Sequence, residues 1–181
     1  MGGAGSDVID GGNGADVLAG GSGDDQIIGG NGADVMQGDD GNDTLYGGNG
    51  DDRITGDSGD DIIRGSAGND TIDGGAGTDL LDFSDAAHAI NFTLNQGENF
   101  SDSQGYWSTG ALAGIGIDAY KNIEGVIGSA FNDTIGGSEW GDVLVGAAGA
   151  DVLTGNAGSD RFVYNATAAS SDSNAVAMDT I

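Results

Sequence analysis

Aspartate returns every ninth residue in this chain, at Asp7, Asp16, Asp25, Asp34, Asp43, Asp52, Asp61, Asp70 and Asp79, and again at Asp133, Asp142, Asp151 and Asp160. A column of carboxylates flanked by glycines offers hard oxygen donors, both from the side chains and from the backbone carbonyls of tight turns. The chain has no cysteine and a single histidine, His88. Thiolate metal sites and a cysteine nucleophile are therefore excluded. All-oxygen ligation in an adaptable turn suits Ca2+, which accepts six to eight oxygens in flexible geometry. Mg2+ demands tight octahedra and retains its waters.

What positions these aspartates is a nonapeptide. From Gly2 the chain divides into GGAGSDVID, GGNGADVLA, GGSGDDQII, GGNGADVMQ, GDDGNDTLY, GGNGDDRIT, GDSGDDIIR, GSAGNDTID and GGAGTDLLD, nine units that fill 2–82 without a gap. Positions 1 and 4 are Gly and position 6 is Asp in every unit. Position 8 is always aliphatic: Ile9, Leu18, Ile27, Met36, Leu45, Ile54, Ile63, Ile72 and Leu81. A second block at 128–163 reads GSAFNDTIG, GSEWGDVLV, GAAGADVLT and GNAGSDRFV, with Phe131 and Trp140 in place of the position-4 glycine. A flexible linker has no reason to hold four columns fixed. Collagen is excluded because its period is three and it needs proline, of which there is none.

Each unit predicts a strand and a turn. Positions 7 to 9 form a short strand whose middle side chain points inward and whose neighbours point outward. The outward positions accordingly tolerate Gln26, Arg53, Arg64 and Asp73. Positions 1 to 6 reverse the chain, with glycine supplying dihedrals closed to other residues. Two units make one coil of eighteen residues, odd units in one sheet and even units in the other, with coils stacked about 4.8 Å apart. The expected fold is all-β, a parallel β-roll with a thin core of one aliphatic column per sheet. Stacking also aligns the aspartates, and like charges about 5 Å apart repel by some kcal/mol at an effective dielectric near 20. Such a roll needs a counter-cation.

The pattern GGxGxDxUx resembles the nonapeptide of the repeats-in-toxin (RTX) family over 2–82 and 128–163. The resemblance implies a right-handed β-solenoid of 18 residues per coil, with Ca2+ held between turns two units apart. The earlier turn would give the carbonyls of positions 2 and 4 and its Asp, the later turn the carbonyls of positions 1 and 3 and its Asp. On this chain Gly3, Gly5 and Asp7 would face Gly20, Ser22 and Asp25; Gly12, Gly14 and Asp16 would face Gly29, Asn31 and Asp34. Gly21, Gly23 and Asp25 would face Gly38, Asp40 and Asp43; Gly30, Gly32 and Asp34 would face Gly47, Asn49 and Asp52. Asp39, Gly41 and Asp43 would face Gly56, Ser58 and Asp61; Gly48, Gly50 and Asp52 would face Gly65, Ala67 and Asp70. Finally, Asp57, Gly59 and Asp61 would face Gly74, Ala76 and Asp79. That makes about seven sites. The second block adds about two, with Gly146, Ala148 and Asp151 after the turn of Asp133, and Gly155, Ala157 and Asp160 after the turn of Asp142. Asp39 and Asp57 depart from Gly at position 2 and either add an outer carboxylate or sit in solvent.

The segment 83–127 interrupts the repeat. Gly128 keeps the phase of Gly2, so the solenoid is expected to continue beneath it, with strands at 89–94 and 123–127 and an extruded loop around Gly105-Tyr106-Trp107. His88 falls at a position-6 phase and reads as a residue where the repeat lapses, the sharper alternative being a stand-in for Asp. Tyr106 and Trp107 read as cover for an apolar edge, the alternative being a sugar-stacking platform. Residues 164–181 read as a linker leading into a further strand at Met178-Asp179-Thr180-Ile181, and the whole as a piece of a longer protein. The interruption also resembles those of rolls in the C-terminal parts of serralysin-type proteases and the R-modules of alginate epimerases.

Other chemistries fail on spacing. No EF-hand loop can be counted back from Glu98, Glu124 or Glu139, His88 begins no zincin motif, and Lys121 is followed by Asn rather than Ser or Thr. No catalytic centre is expected. A formal net charge of −26 repels nucleic acid and anionic membranes. No apolar run is long enough to span a bilayer, and Met1 followed directly by glycines gives no reason to expect a secretory signal peptide here. The expected function is a calcium-binding module of a secreted bacterial protein, exported by a type I route with its signal beyond this sequence. It would fold on Ca2+ outside the cell and stabilise its parent. The alternatives are an accessory module of a secreted protease or polysaccharide-modifying enzyme, with an anionic polysaccharide or a companion enzyme domain as partner, and an array in an adhesin or surface-layer protein.

Overall fold

The computed structural model describes residues 1–94, 118–164 and 178–179. The described residues divide into two units, one of 1–81 with 118–123, the other of 82–94 and 124–164 with 178–179. Every strand pairing given for the described residues is parallel, and none of those residues is helical.

In the first unit, strands numbered in chain order alternate between two sheets. One holds β1 (Gly3–Ala4), β3 (Val17–Ser22), β5 (Val35–Asp40), β7 (Arg53–Ser58), β9 (Thr71–Ala76) and β12 (Ala119–Lys121). The other runs through β2 (Val8–Asn13), β4 (Gln26–Asn31), β6 (Thr44–Asn49), β8 (Ile62–Ala67) and β10 (Leu80–Asp82). Each strand pairs in register with the strand one coil away, so that Ile27 aligns with Leu45 and Leu45 with Ile63. This is a β-solenoid of 18 residues per turn, as the period required. Ile27, Met36, Leu45, Ile54 and Ile63 are fully buried and form the two aliphatic columns. On the outer face, Arg64 lies over the Tyr46 ring at 4.7 Å, across the pair that aligns them.

The strands of β2 to β9 are longer than the nonapeptide suggests, six residues rather than three. Each carries on through positions 1 to 3 of the next unit. The ladder skips position 1: Ile28 aligns with Tyr46, and the next pair is Gly30 with Gly48. The chain therefore bends at a glycine and resumes pairing beyond it.

The second unit repeats the plan. One sheet is β11 (Asn91–Thr93), β14 (Thr134–Gly136), β16 (Val152–Asn156) and β18 (Met178–Asp179), and the other contains β13 (Gly125–Ile127), β15 (Val143–Ala147) and β17 (Arg161–Tyr164). Ile90, Val126, Ile135, Leu144 and Leu153 are buried between them, and Phe83 meets Phe92 with ring centroids 5.3 Å apart.

Among the described residues of 83–127 the strands are Asn91–Thr93, Ala119–Lys121 and Gly125–Ile127, shorter than expected at 89–94 and 123–127 and with one not anticipated. The bonded partners here are Asp70 with Asp118, 48 residues apart, and Ile90 with Asp133, 43 apart. Neither separation is a multiple of nine, so the restored phase at Gly128 is not carried strand by strand. Ile90, not His88, takes the place of the position-6 aspartate, and His88 is exposed with its ring 6.3 Å from that of Phe131. The loop expected around Tyr106 and Trp107 lies outside the described residues, as do Thr180 and Ile181.

Candidate metal centre

The aspartates are fixed by their own backbone. In the first unit each Asp N–H donates to Oδ1 of the Asp one coil on, from Asp7 to Asp25 through Asp61 to Asp79, at 2.7–2.9 Å. Each Asp carbonyl in turn accepts from the position-7 N–H of that next coil, as Asp7 does from Gln26 at 2.9 Å. The side chain is held by sheet hydrogen bonds and cannot swing out to water. Asp25, Asp34, Asp43, Asp52, Asp61, Asp70 and Asp79 are all buried. Yet Oδ2 of Asp7, Asp16, Asp25, Asp34, Asp43, Asp52, Asp61, Asp70 and Asp160 accepts no hydrogen bond. A buried anionic oxygen without a donor is costly and calls for a cation or a proton.

The oxygens around each Oδ2 are those of a hard-cation site. A Cβ placed on Gly29 would lie 2.6 Å from Oδ2 of Asp34 and 2.6 Å from the Gly47 carbonyl of the next coil. Position 1 must be glycine because these two oxygens converge on it. At position 4, a Cβ on Gly32 would collide with the Gly14 carbonyl, and at position 2 one on Gly30 would collide with that of Gly12. The carbonyls of Gly12 and Gly14 thus point forward into the gap, and that of Gly29 points back toward Gly11 at 2.6 Å from a Cβ built there. The Asn31 carbonyl accepts the Gly14 N–H at 2.7 Å and keeps one lone pair. The carbonyls of Gly12, Gly14, Gly29 and Asn31 thus border this gap, and Asp34 reaches it through Oδ1, which accepts the Asp16 N–H at 2.8 Å. Among the described residues no cluster of three or more Asp, Glu, His or Cys side chains forms. The carboxylates come in pairs, and a Ca2+ at such a gap would take its remaining ligands from the backbone.

Electrostatics point the same way. Burial pushes the carboxyls of Asp43 and Asp52 above the usual range, with neighbouring aspartates adding to the rise. It raises Asp61 to about 7, helped by the charges of Asp79 and Asp43, and Asp70 to about 7, helped by Asp118 and Asp52. These groups resist ionisation until a positive charge arrives. Asp39 and Asp57 align as neighbours on β5 and β7, half-buried, at φ of 72° and 75°. Burial raises Asp57 as well, with Asp39 and Asp73 contributing.

The second block is built differently. The Ser129 N–H donates to Oδ2 of Asp133 at 2.6 Å, its hydroxyl donates to Oδ1 at 2.7 Å, and the Phe131 N–H donates back to Ser129 Oγ at 3.1 Å. Ser138 does the same for Asp142, with the Trp140 N–H closing the turn at 3.1 Å. In these two turns a serine fills the place that lacks a donor in the turns of Asp7 to Asp70. The replaced glycine explains the change. Among the described residues Phe131 and Trp140 are absent from the positive-φ set, whereas Gly149 and Gly158 adopt 142° and 112°. The turn must close in another way, and the position-2 serine provides it.

Three residues that position and satisfy these carboxylates are invisible to a fixed nine-residue frame. Ser129 and Ser138 occupy position 2, where they read as mere substitutes for glycine. Asp118 accepts the Asp70 N–H at 2.9 Å, in the role of a position-6 aspartate. Its signal was present in the stretch AGIGIDAYK at 113–121, a nonapeptide with alanine at position 1, displaced from the frame of Gly2.

A family model described as the RTX calcium-binding nonapeptide repeat matches the chain in four copies, at residues 1–27, 28–63, 55–85 and 136–166. No curated protein matches it.

Proposed function

The chain belongs to the RTX calcium-binding nonapeptide repeat family, and from that premise we propose that its β-roll is a folding switch thrown by calcium in a bacterial protein exported before it folds. The repeat is a structural calcium-binding module rather than a catalytic one. The observation that carries the proposal is the column of buried Oδ2 atoms with no hydrogen-bond donor, from Asp7 to Asp70. Where calcium is scarce, aligned carboxylates of a chain with net charge −26 oppose coiling. Outside the cell, Ca2+ at millimolar level meets its full ligand set only in the stacked coil. Binding energy then becomes folding energy, since a ligand taken up by the folded state alone stabilises it by mass action.

The sites so assigned are the seven gaps between Asp7 and Asp79. The turns of Asp133 and Asp142, closed by serine, are assigned none. Type I export, an extracellular location and stabilisation of a parent chain complete the reading. Circular dichroism of the chain with Ca2+ and after stripping by a chelator tests it: the β signal should appear with calcium and collapse without it. A signal indifferent to chelation would overturn the switch.

A further inference from the structure

We propose that Asp70 and Asp118 hold a further Ca2+ between them, at a site that neither repeat block completes on its own; the inference rests on the calcium reading above. Asp118 lies 48 residues beyond Asp70, yet the Asp70 N–H donates to its Oδ1 at 2.9 Å, as the Asp52 N–H does to Asp70 itself at 2.9 Å. The Ala119 N–H donates to the Asp70 carbonyl at 2.8 Å, just as the Thr71 N–H does to that of Asp52 at 2.8 Å. Beyond them Ala119 aligns with Thr71, Tyr120 with Ile72 and Lys121 with Asp73. Asp118 therefore stands, by backbone and by register, where the next position-6 aspartate belongs.

The second observation is the carboxylate facing it. Asp70 is 2% exposed, and its Oδ2 accepts no hydrogen bond. That oxygen sits against Gly65, where a Cβ would collide with it. The same relation holds between Asp34 and Gly29, where Oδ2 flanks the gap between coils. Ser66 and Gly68 adopt φ of 72° and 146°, matching Asp57 and Gly59 at 75° and 131° in the unit before. Their backbone thus has the positive φ that positions 2 and 4 take elsewhere. Lys121 Nζ lies 2.6 Å from Asp73 on the aligned strand. Carboxylate and backbone carbonyl oxygens are the hard donors that favour Ca2+.

An ion here has a task the other gaps lack. It would tie β12 to β9 across a chain separation of 48 residues instead of 18, where closure costs more entropy.

The variant Asp118→Asn keeps the Oδ1 acceptor for the Asp70 N–H and removes the charge. Native mass spectrometry of the calcium-loaded chain should count one ion fewer in Asp118→Asn than in the wild type; an unchanged count overturns the proposal. The wild type supplies an arm that no folding defect can blur. In crystals grown with CaCl2, an anomalous difference peak is expected between the Asp70 and Asp118 carboxylates. Peaks at the Asp7 to Asp79 gaps with none there overturn this site alone. Peaks nowhere overturn both it and the calcium reading beneath it.

Discussion

The backbone N–H of Asp43 donates to Oδ1 of Asp61 at 2.8 Å, while Oδ2 of the same fully buried carboxylate accepts nothing. One side chain thus divides its oxygens between stitching coils and facing the gap. Asparagine preserves the first role and abolishes the second. Asp61 borders two gaps, with Asp43 and with Asp79, whereas Asp7 borders one. Asp61→Asn should therefore raise the calcium concentration at the folding midpoint by about tenfold or more, given that about 1.4 kcal/mol is a factor of ten. Asp7→Asn should shift it less. Calcium titrations followed by circular dichroism check the order, and equal shifts would contradict the shared-ligand arrangement.

Burial raises Asp61 and Asp70 to about 7 from an ordinary value of 3.8. With folded-state values above unfolded ones, the folded chain binds more protons between those limits. Its stability therefore falls as pH rises through this window and is fully regained below the unfolded value. A calcium-stripped chain should gain β structure on acidification from about pH 8 toward pH 4. With calcium present the trend should reverse, because protons compete for the same oxygens. Circular dichroism across pH, with and without Ca2+, reads both arms. Loss of β signal on acidifying the stripped chain would contradict the first.

The repeat made the coil legible because each column has one physical task repeated many times. Ile27, Leu45 and Ile63 had to face inward by the period of two, and Asp25, Asp43 and Asp61 had to stack by the period of eighteen. The true length of the strands was hidden, since the Gly-rich positions 1 to 3 that extend them carry no apolar alternation. Asp118 was hidden by phase. Its nonapeptide departs from the pattern only at Ala113 and Tyr120, but it is displaced from the frame of Gly2. Ser129 and Ser138 were hidden for a different reason. Their hydrogen bonds matter only once the position-4 glycine is gone, a coupling between two positions that a column-by-column reading does not weigh.

Positions 2 and 4 both use positive φ, but not to the same degree. Asp39, Asp57, Ser66, Ala147 and Asn156, all at position 2, sit at φ between 64° and 75°, within reach of an L-residue. Gly32 at position 4 adopts 135°, and a Cβ there would collide with the Gly14 carbonyl. Gly12 at position 2 has φ of 85° and nothing within 4 Å of a Cβ. Gly12→Asn should cost less than about 1 kcal/mol, and Gly32→Ala at least about 1–3 kcal/mol from backbone strain, with the clash in addition. Melting temperatures of the calcium-loaded variants decide it; a Gly32→Ala as mild as Gly12→Asn would refute the directed carbonyl.

Serine closure should make the turns of Asp133 and Asp142 independent of the ion. Burial raises both carboxyls, but the hydrogen bonds from Ser129 and Ser138 pull them back. Ser138→Ala removes the hydroxyl bonds to Asp142 at 3.0 Å and the acceptor of the Trp140 N–H at 3.1 Å. Its cost should be about 1–3 kcal/mol, most of it from groups left unsatisfied. In the calcium-stripped chain, hydrogen exchange should find the Phe131 and Trp140 amides better protected than the position-4 amides Gly23 and Gly41, which bond only between coils, at 2.7 and 2.8 Å. Ser138→Ala should erase that protection at Trp140, and Ser22→Ala, at an exposed position 3, should not. If the two turns exchange as fast as the rest once calcium is gone, the serines do not substitute for the ion, and Asp133 and Asp142 return to the set of its ligands.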